Sequence, residues 1–229
     1  MGLGPVWKLR RPLPAIAAPV VPHATPVAPE DQAAPISRMG WPELASAVAG
    51  CSACGLCDSR KNTVFGVGNQ AAPWMVVGEA PGAEEDARGE PFVGQAGQLL
   101  DAMLAALALT RERDVYITNV LKCRPPGNRN PAPEEVAQCS GYLTRQVALV
   151  NPRLLLLMGR FAAQTLLGTD ASIASLRGRV HKVGSTPAIV TYHPAYLLRT
   201  PLDKARAWED LLFARANDKR LQSAATAST

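Results

Sequence analysis

Residues 74–97 read WMVVGEAPGAEEDARGEPFVGQAG, and the rest of the chain is arranged around them. Trp74 to Val77 are apolar and predict a short buried strand. Gly78, Pro81, Gly82, Gly89, Pro91, Gly94 and Gly97 then punctuate a loop that also carries Glu79, Glu84, Glu85, Asp86 and Glu90. The spacing of Leu99, Leu100, Met103, Leu104 and Leu107 predicts a helix after it. A strand that opens into a long glycine- and proline-rich loop before its helix is a usual ligand site in an α/β sheet. A connection this long without structure of its own tends to be functional rather than plain. The loop lacks GxGxxG and GxxxxGK[ST], and its acids would repel a phosphate. It suits a neutral, flat ligand held by backbone N–H groups and the ring of Phe92.

Working outward, the same alternation recurs. Val115 to Val120 (VYITNV) predict a second strand, followed by LKCRPPGNRNPAPEE, whose Pro125, Pro126, Gly127, Pro131 and Pro133 exclude strand and helix. Glu134 to Leu149 predict a helix with acids in its first turn, where the macrodipole favours them. Leu154 to Met158 are unbroken apolar, as in a strand buried on both faces. A helix is expected over about 160–167, and Ala188 to Tyr192 form a fourth strand with HPAYLLR trailing from it as a loop. A last helix is expected over about 202–216, with a frayed tail over 219–229. On the N-terminal side, Trp41 to Val48 predict a short helix ended by Gly50.

These elements predict an α/β single domain with a central four-stranded, mostly parallel sheet flanked by helices. The Gly78 loop, Asn119 with its proline-rich loop, and His193 all follow strands. They would therefore meet at the carboxyl edge of the sheet, where ligands of open α/β sheets gather.

The chain has 229 residues, 47% hydrophobic and 19% charged, enough for one domain with a full core. Its net charge of +5 leans mildly towards polyanions. Residues 1–38 are rich in Pro, Ala and Val with a basic patch at Lys8, Arg10 and Arg11, and predict a disordered tail. No apolar run reaches the length of a membrane span, and PLPAIAAPVVP is too broken by proline for a signal peptide. The expectation is a cytoplasmic monomer that does not engage a membrane.

Five cysteines in such a chain point to a metal or free thiols rather than disulfides. Cys51 and Cys54 form a C-x2-C pair, Cys123 follows the second strand, and Cys139 lies in the next helix. Read from the residues alone, this is either a four-cysteine zinc site or an iron–sulfur cluster. The single C-x2-C knuckle tilts towards iron–sulfur, because zinc ribbons usually carry two. Cys57 fits an unrelated thiol. Either metal would pin the N-terminal helix to the segment Arg124–Arg129 as a structural staple.

GEAPGAEEDARGEPFVGQAGQLL, TNVLKCRPPGNRNP and YHPAYLLR, with the four cysteines, closely resemble the family 4 uracil-DNA glycosylases, the iron–sulfur type. The resemblance spans about Cys51 to Phe213, so residues 39–218 are expected to be the glycosylase domain. It implies an enzyme that flips uracil out of DNA and hydrolyses its N-glycosidic bond, leaving an abasic site to start base excision repair. It implies one structural 4Fe-4S cluster on Cys51, Cys54, Cys123 and Cys139, and uracil-containing DNA, single- or double-stranded, as partner. Flipping is obligatory because the reacting carbon is buried in the base stack.

The resemblance assigns uracil binding to Gly78, Glu79, Ala80, Phe92, Asn119 and His193. The backbone around Glu79 and Ala80 would bind the uracil edge and Phe92 its face. Asn119 would donate to O4 and accept from N3–H, a pattern cytosine reverses. His193 would sit near O2, where charge builds as the bond breaks. The best-known uracil-DNA glycosylases carry an aspartate at position 80, and this chain has Ala80, so leaving-group stabilisation must carry more of the rate. Glu79 is the remaining catalytic candidate, for the water or the sugar cation. Leu197, Leu198 and Arg199 would form a minor-groove wedge. Arg124, Arg129, Arg177 and Arg179 would contact phosphates.

The rival class is a protein that binds or cross-links uracil-DNA without turnover. A related branch does so through a histidine in an arginine-rich insertion. Here that region reads SLRGRVHKVG, with His181 but no long basic insertion, and the motif GEAPG stands where that branch tends to read GEQPG. A cluster protein that senses damage without catalysis is a third reading.

Overall fold

The computed structural model describes residues 36–227 and the side chains up to residue 223. The tail expected over 1–38, with Lys8, Arg10 and Arg11, lies outside the described residues up to residue 35. The sheet is built from β1 (Val67–Gly68), β2 (Trp74–Gly78), β3 (Val115–Asn119), β4 (Leu154–Met158), β5 (His181–Val183) and β6 (Thr186–Thr191). Its spatial order is β1-β3-β2-β4-β6-β5. The four central strands are mutually parallel and coincide with the four expected from sequence. The expected count is corrected to six, because β1 and β5 add short antiparallel edges.

Every residue of β2, β3 and β4 is buried, because helices cover both faces. Successive side chains alternate between two cores. Trp74, Val76, Leu154 and Leu156 pack against α3 (Gln95–Ala106) and α8 (Lys204–Ala227) through Leu100, Met103, Leu104, Ala207 and Leu211. Met75, Val77, Leu155 and Leu157 pack on the other face against α4 (Pro133–Val150) and α5 (Arg160–Leu167) through Leu143, Val150, Ala162 and Ala163. The helix α1 (Trp41–Ala49) is laid on α4 through Leu44, Val48 and Tyr142.

Several helices begin the same way. In α1, α2 (Ala83–Arg88) and α4, a glutamate three residues past the N-cap reaches back to the N-cap N–H. The pairs are Gly40 with Glu43 at 2.7 Å, Gly82 with Glu85 at 3.0 Å, and Ala132 with Glu135 at 2.8 Å. The helix α2 corrects the expectation of a structureless loop after β2.

After the one-turn helix α6 (Ile173–Leu176), HPAYLLR is likewise a helix, α7 (Pro194–Arg199), and not a loop, with proline at its first position and His193 as N-cap. The last helix runs past Ala216 and Leu221 to Ala227. Buried Asp218, paired with Arg153 at 3.1 Å, ties it to the start of β4, and the alanine-rich end favours helix. Among the described residues, no helix is long and apolar enough to cross a membrane.

The strand order places the topological switch point between β2 and β4. From β2 the chain passes to β3 on one side, then returns to β4 on the other. The carboxyl ends of β2 and β4 therefore flank a crevice, which is where this class of sheet binds ligands.

Candidate functional site

That crevice is an open cleft of about 850 Å³, within the range of small-molecule sites. Glu79, Ala80, Phe92, Asn119, Arg129, Arg160, His193 and Arg199 all line it. Of the uracil-binding set, Gly78 stands just behind the wall. A Cβ there would fall 2.4 Å from Asn119 Oδ1 and 2.6 Å from Phe92 Cζ, so only glycine lets the amide and the ring close over the strand end.

Asn119 ends β3 at 2% exposure. Its Oδ1 is fully buried and has no hydrogen-bond partner, an arrangement that costs on the order of 1–3 kcal/mol when left unmet. Gly78 and Glu79 present their carbonyls to the chain beyond β3, accepting from Val120 N at 3.0 Å and Leu121 N at 3.1 Å. Those carbonyls are therefore occupied, and the loop meets a ligand by other groups.

The loop is held by its acids. Glu85 accepts from Gly82 N at 3.0 Å, Val93 N at 3.0 Å and Gly94 N at 3.2 Å. Asp86, 2% exposed, accepts from Lys61 N at 2.9 Å and Asn62 N at 3.3 Å. Phe92 sits in the left-handed region at φ 55°, and Arg111 clamps the carbonyls of Pro91 at 3.2 Å and Phe92 at 2.6 Å. The Phe92 ring stacks on His193, centroids 5.4 Å apart and 29° between planes.

His193 is half-buried at the start of α7, and its Nδ1 accepts the Ala195 N–H at 3.1 Å. That bond leaves the ring proton of the neutral imidazole on Nε2. Burial lowers its pKa to about 4, and the Arg199 charge acts in the same direction, against Glu85. The residue is thus a neutral donor at physiological pH. Burial raises Glu79 above the usual carboxylate range, opposed by Arg160.

The expected DNA contacts divide. Arg129 and Arg199 line the cleft, the former ion-paired with Glu135. Arg124 lies outside the cleft wall, its Nε on Asn128 Oδ1 at 2.7 Å, and Arg179 donates to the Ser175 carbonyl. Arg177 is not free to meet a phosphate. Its guanidinium bonds Asp210 at 2.6 Å and covers the Tyr192 ring at 4.8 Å. Leu197, at 1% exposure, is core and no wedge, because helix geometry turns it inward. Leu198 is 40% exposed, and Leu202, just beyond α7, is 91% exposed.

Arg160, Tyr192 and Tyr196 also line the cleft and were missed. Arg160 follows Gly159 at the carboxyl end of β4, a position the edge rule could have flagged. Gly159 is a close approach: at φ 89°, a Cβ there would sit 3.0 Å from His193 Cβ.

A second pocket lies at the α1–α4 contact. Cys51, Cys54, Cys123 and Cys139 line it together with Val48, Leu56, Leu121 and Tyr142. Donors face the sulfurs: Arg60 Nη1 to Cys123 Sγ at 3.1 Å, Lys122 N to Cys139 Sγ at 3.3 Å, and the Tyr142 hydroxyl to Cys51. Burial pushes the Cys139 thiol up to about 11 and raises Cys123, while the neighbouring cations act the other way. No three His, Cys, Asp or Glu among the described residues are gathered to hold a metal ion. The four thiols surround a space rather than a point. Cys57 is outside the wall, its Sγ directed at Asp58 Oδ1 at 3.4 Å.

The family model of the uracil DNA glycosylase superfamily matches residues 65–212. A type-4 uracil-DNA glycosylase of Archaeoglobus fulgidus is 46% identical over 167 residues, covering 69% of this chain and 83% of that protein. One from Thermotoga maritima is 44% identical over 158 residues, covering 68% and 82% respectively. One from Pyrobaculum aerophilum is 41% identical over 182 residues, covering 76% and 92%.

Proposed function

Because the chain belongs to the uracil-DNA glycosylase superfamily, we infer from the cleft how it excises uracil from DNA. It is a uracil-DNA glycosylase, and its reaction opens base excision repair. The observation that carries the residue assignment is the orphaned Asn119 Oδ1. An extruded uracil supplies the missing partner with N3–H, and the Asn119 amide N–H answers O4. Cytosine has no N3–H to offer, so it leaves the buried oxygen unpaired and is rejected.

As the C1′–N1 bond breaks, its electron pair moves onto the uracil ring and charge gathers at O2. The Nε2–H of neutral His193 donates there, held in register by its own N-cap bond. Water adds its oxygen to C1′ and gives up a proton, leaving uracil and an abasic sugar. Ala80 carries no carboxylate; of the acids lining the cleft, Glu85 is taken up by loop N–H groups and Glu84 faces Arg88, so Glu79 would act on the water or the sugar cation. Leu198, Arg199 and the exposed Leu202 would hold the duplex open, and Arg124, Arg129 and Arg179 would meet phosphates.

We assign the cysteine pocket to a 4Fe-4S cluster. Four thiols around a space, with N–H and guanidinium donors aimed at sulfur, suit a group with four corners better than one ion. Cys51, Cys54, Cys123 and Cys139 would hold it, and bound there it would cross-link the end of α1 to the segment after β3 and supply no bond-making step. The site is complete within one chain, and five thiols without disulfides suit the reducing cytoplasm.

His181 does not favour the cross-linking reading. Its Nε2 lies 2.7 Å from the Leu176 carbonyl, and it is absent from the cleft wall. Single-turnover cleavage by His193→Ala and Asn119→Ala tests the assignment. Each should lose about a hundred- to thousandfold in rate with affinity for an abasic-site duplex nearly unchanged. Retention of full single-turnover activity by His193→Ala would move the chemistry to Glu79.

A further inference from the structure

Lys122 is among the most deeply buried side chains of the protein, at 1% exposure, and nothing in the reaction above uses it. Its ammonium donates to Thr118 Oγ1 at 2.6 Å, the Asn119 carbonyl at 2.7 Å and Gln146 Oε1 at 2.7 Å. Those bonds use all its protons. The network continues outward: Thr118 Oγ1 donates to the Phe65 carbonyl at 2.9 Å, and Gln146 Nε2 donates to the same carbonyl at 2.8 Å. Behind it, the Lys122 main-chain N–H donates to Cys139 Sγ.

A buried cation is a poor device for stability, since apolar side chains of similar volume often serve as well or better. What a methionine could not do is hold the Asn119 peptide. That peptide closes β3, and its side chain carries the orphaned oxygen in the cleft. We propose that Lys122 is a positioning residue for uracil recognition: its ammonium fixes the Asn119 peptide and thereby aims the amide at the base.

The inference rests on the reading of Asn119 as the uracil contact, and the test separates the two. Free uracil serves as the probe, measured as a competitive inhibitor, beside the affinity for an abasic-site duplex and the melting temperature. Asn119→Ala should weaken uracil binding, and Lys122→Met should weaken it by about tenfold or more, with abasic-site affinity unchanged in both. The double variant Lys122→Met/Asn119→Ala should bind uracil no worse than Asn119→Ala alone, because a lysine that acts through the amide has nothing left to aim.

Should Lys122→Met fold poorly or lose iron, Lys122→Met/Gln146→Leu is read instead, since the ammonium and its Gln146 acceptor then leave together; the Tyr116 hydroxyl, which Gln146 Nε2 meets at 3.2 Å, loses that partner, so Gln146→Leu alone is measured beside it. A lower melting temperature with uracil inhibition unchanged would overturn the positioning role. Additive losses in the double variant would overturn it as well. An unchanged uracil affinity in Asn119→Ala would instead remove the reading of Asn119 itself.

Discussion

At the residue scale, the proposed recognition of uracil turns on two side chains, and both are set by what they cannot do. Asn119 cannot satisfy its own Oδ1, and His193 cannot easily take a proton. Asn119→Asp should lose discrimination. At 2% exposure its carboxyl would be protonated, and a protonated carboxyl can offer cytosine the pattern that the amide refuses. Cytosine release from a labelled C·G duplex measures this, and an undetectable rate would contradict it. For His193, the folded pKa of about 4 lies below the ordinary value near 6.5. The unfolded chain therefore binds the proton first, and this residue's share of stability is present above about pH 6.5 and falls as pH drops towards 4. The cleavage rate should show no histidine inflection between pH 6 and 7. An inflection there that vanishes in His193→Gln would show a cationic imidazole in the reaction.

At the scale of elements, the cleft is shaped by a loop that its own acids and one arginine hold in place. Arg111, 19% exposed in its side chain, clamps two carbonyls and so keeps Phe92 in its positive-φ conformation against His193. Arg111→Ala should lower stability by about 1.5–3 kcal/mol, the usual range for hydrogen bonds to a charged group. It should also slow single-turnover cleavage while abasic-site affinity holds. Urea denaturation and rapid-quench cleavage read the two effects. The central strands were legible because unbroken apolar runs such as Leu154–Met158 fit nothing else. The edges β1 and β5 were not, since two- and three-residue strands are defined by partners distant in sequence rather than by their own pattern. His193 and Asn119 stood out by their place after strands. Lys122 did not, because no local pattern says that a lysine will be buried; Arg160 shares their place after a strand and could have been found by the same rule. HPAYLLR looked like a loop until its proline proved to start a helix, which turns Leu197 inward and leaves Leu198 outside.

At the scale of the whole molecule, the cysteine pocket joins α1 and α4 to the segment that leaves β3, and Lys122 extends that junction to the uracil site. Substituting Cys51, Cys54, Cys123 or Cys139 with Ala should bleach the cluster absorbance and lower the melting temperature. For a domain of this size each kcal/mol lost corresponds to about 2–4 °C. Cys57→Ala should change neither, because its thiol lies outside the pocket wall. Equal bleaching with Cys57→Ala would break the assignment of the four ligands. Hydrolysis of the N-glycosidic bond of uracil in this cleft is read in a single digestion. Excess protein is mixed with a labelled duplex holding a single U·A pair, and the products are resolved on a denaturing gel with free uracil quantified in parallel. Hydrolysis in the cleft yields one uracil released per duplex and an alkali-labile abasic strand of unchanged mobility before alkali. A strand that stays covalently bound to protein, or one that remains intact, would contradict it.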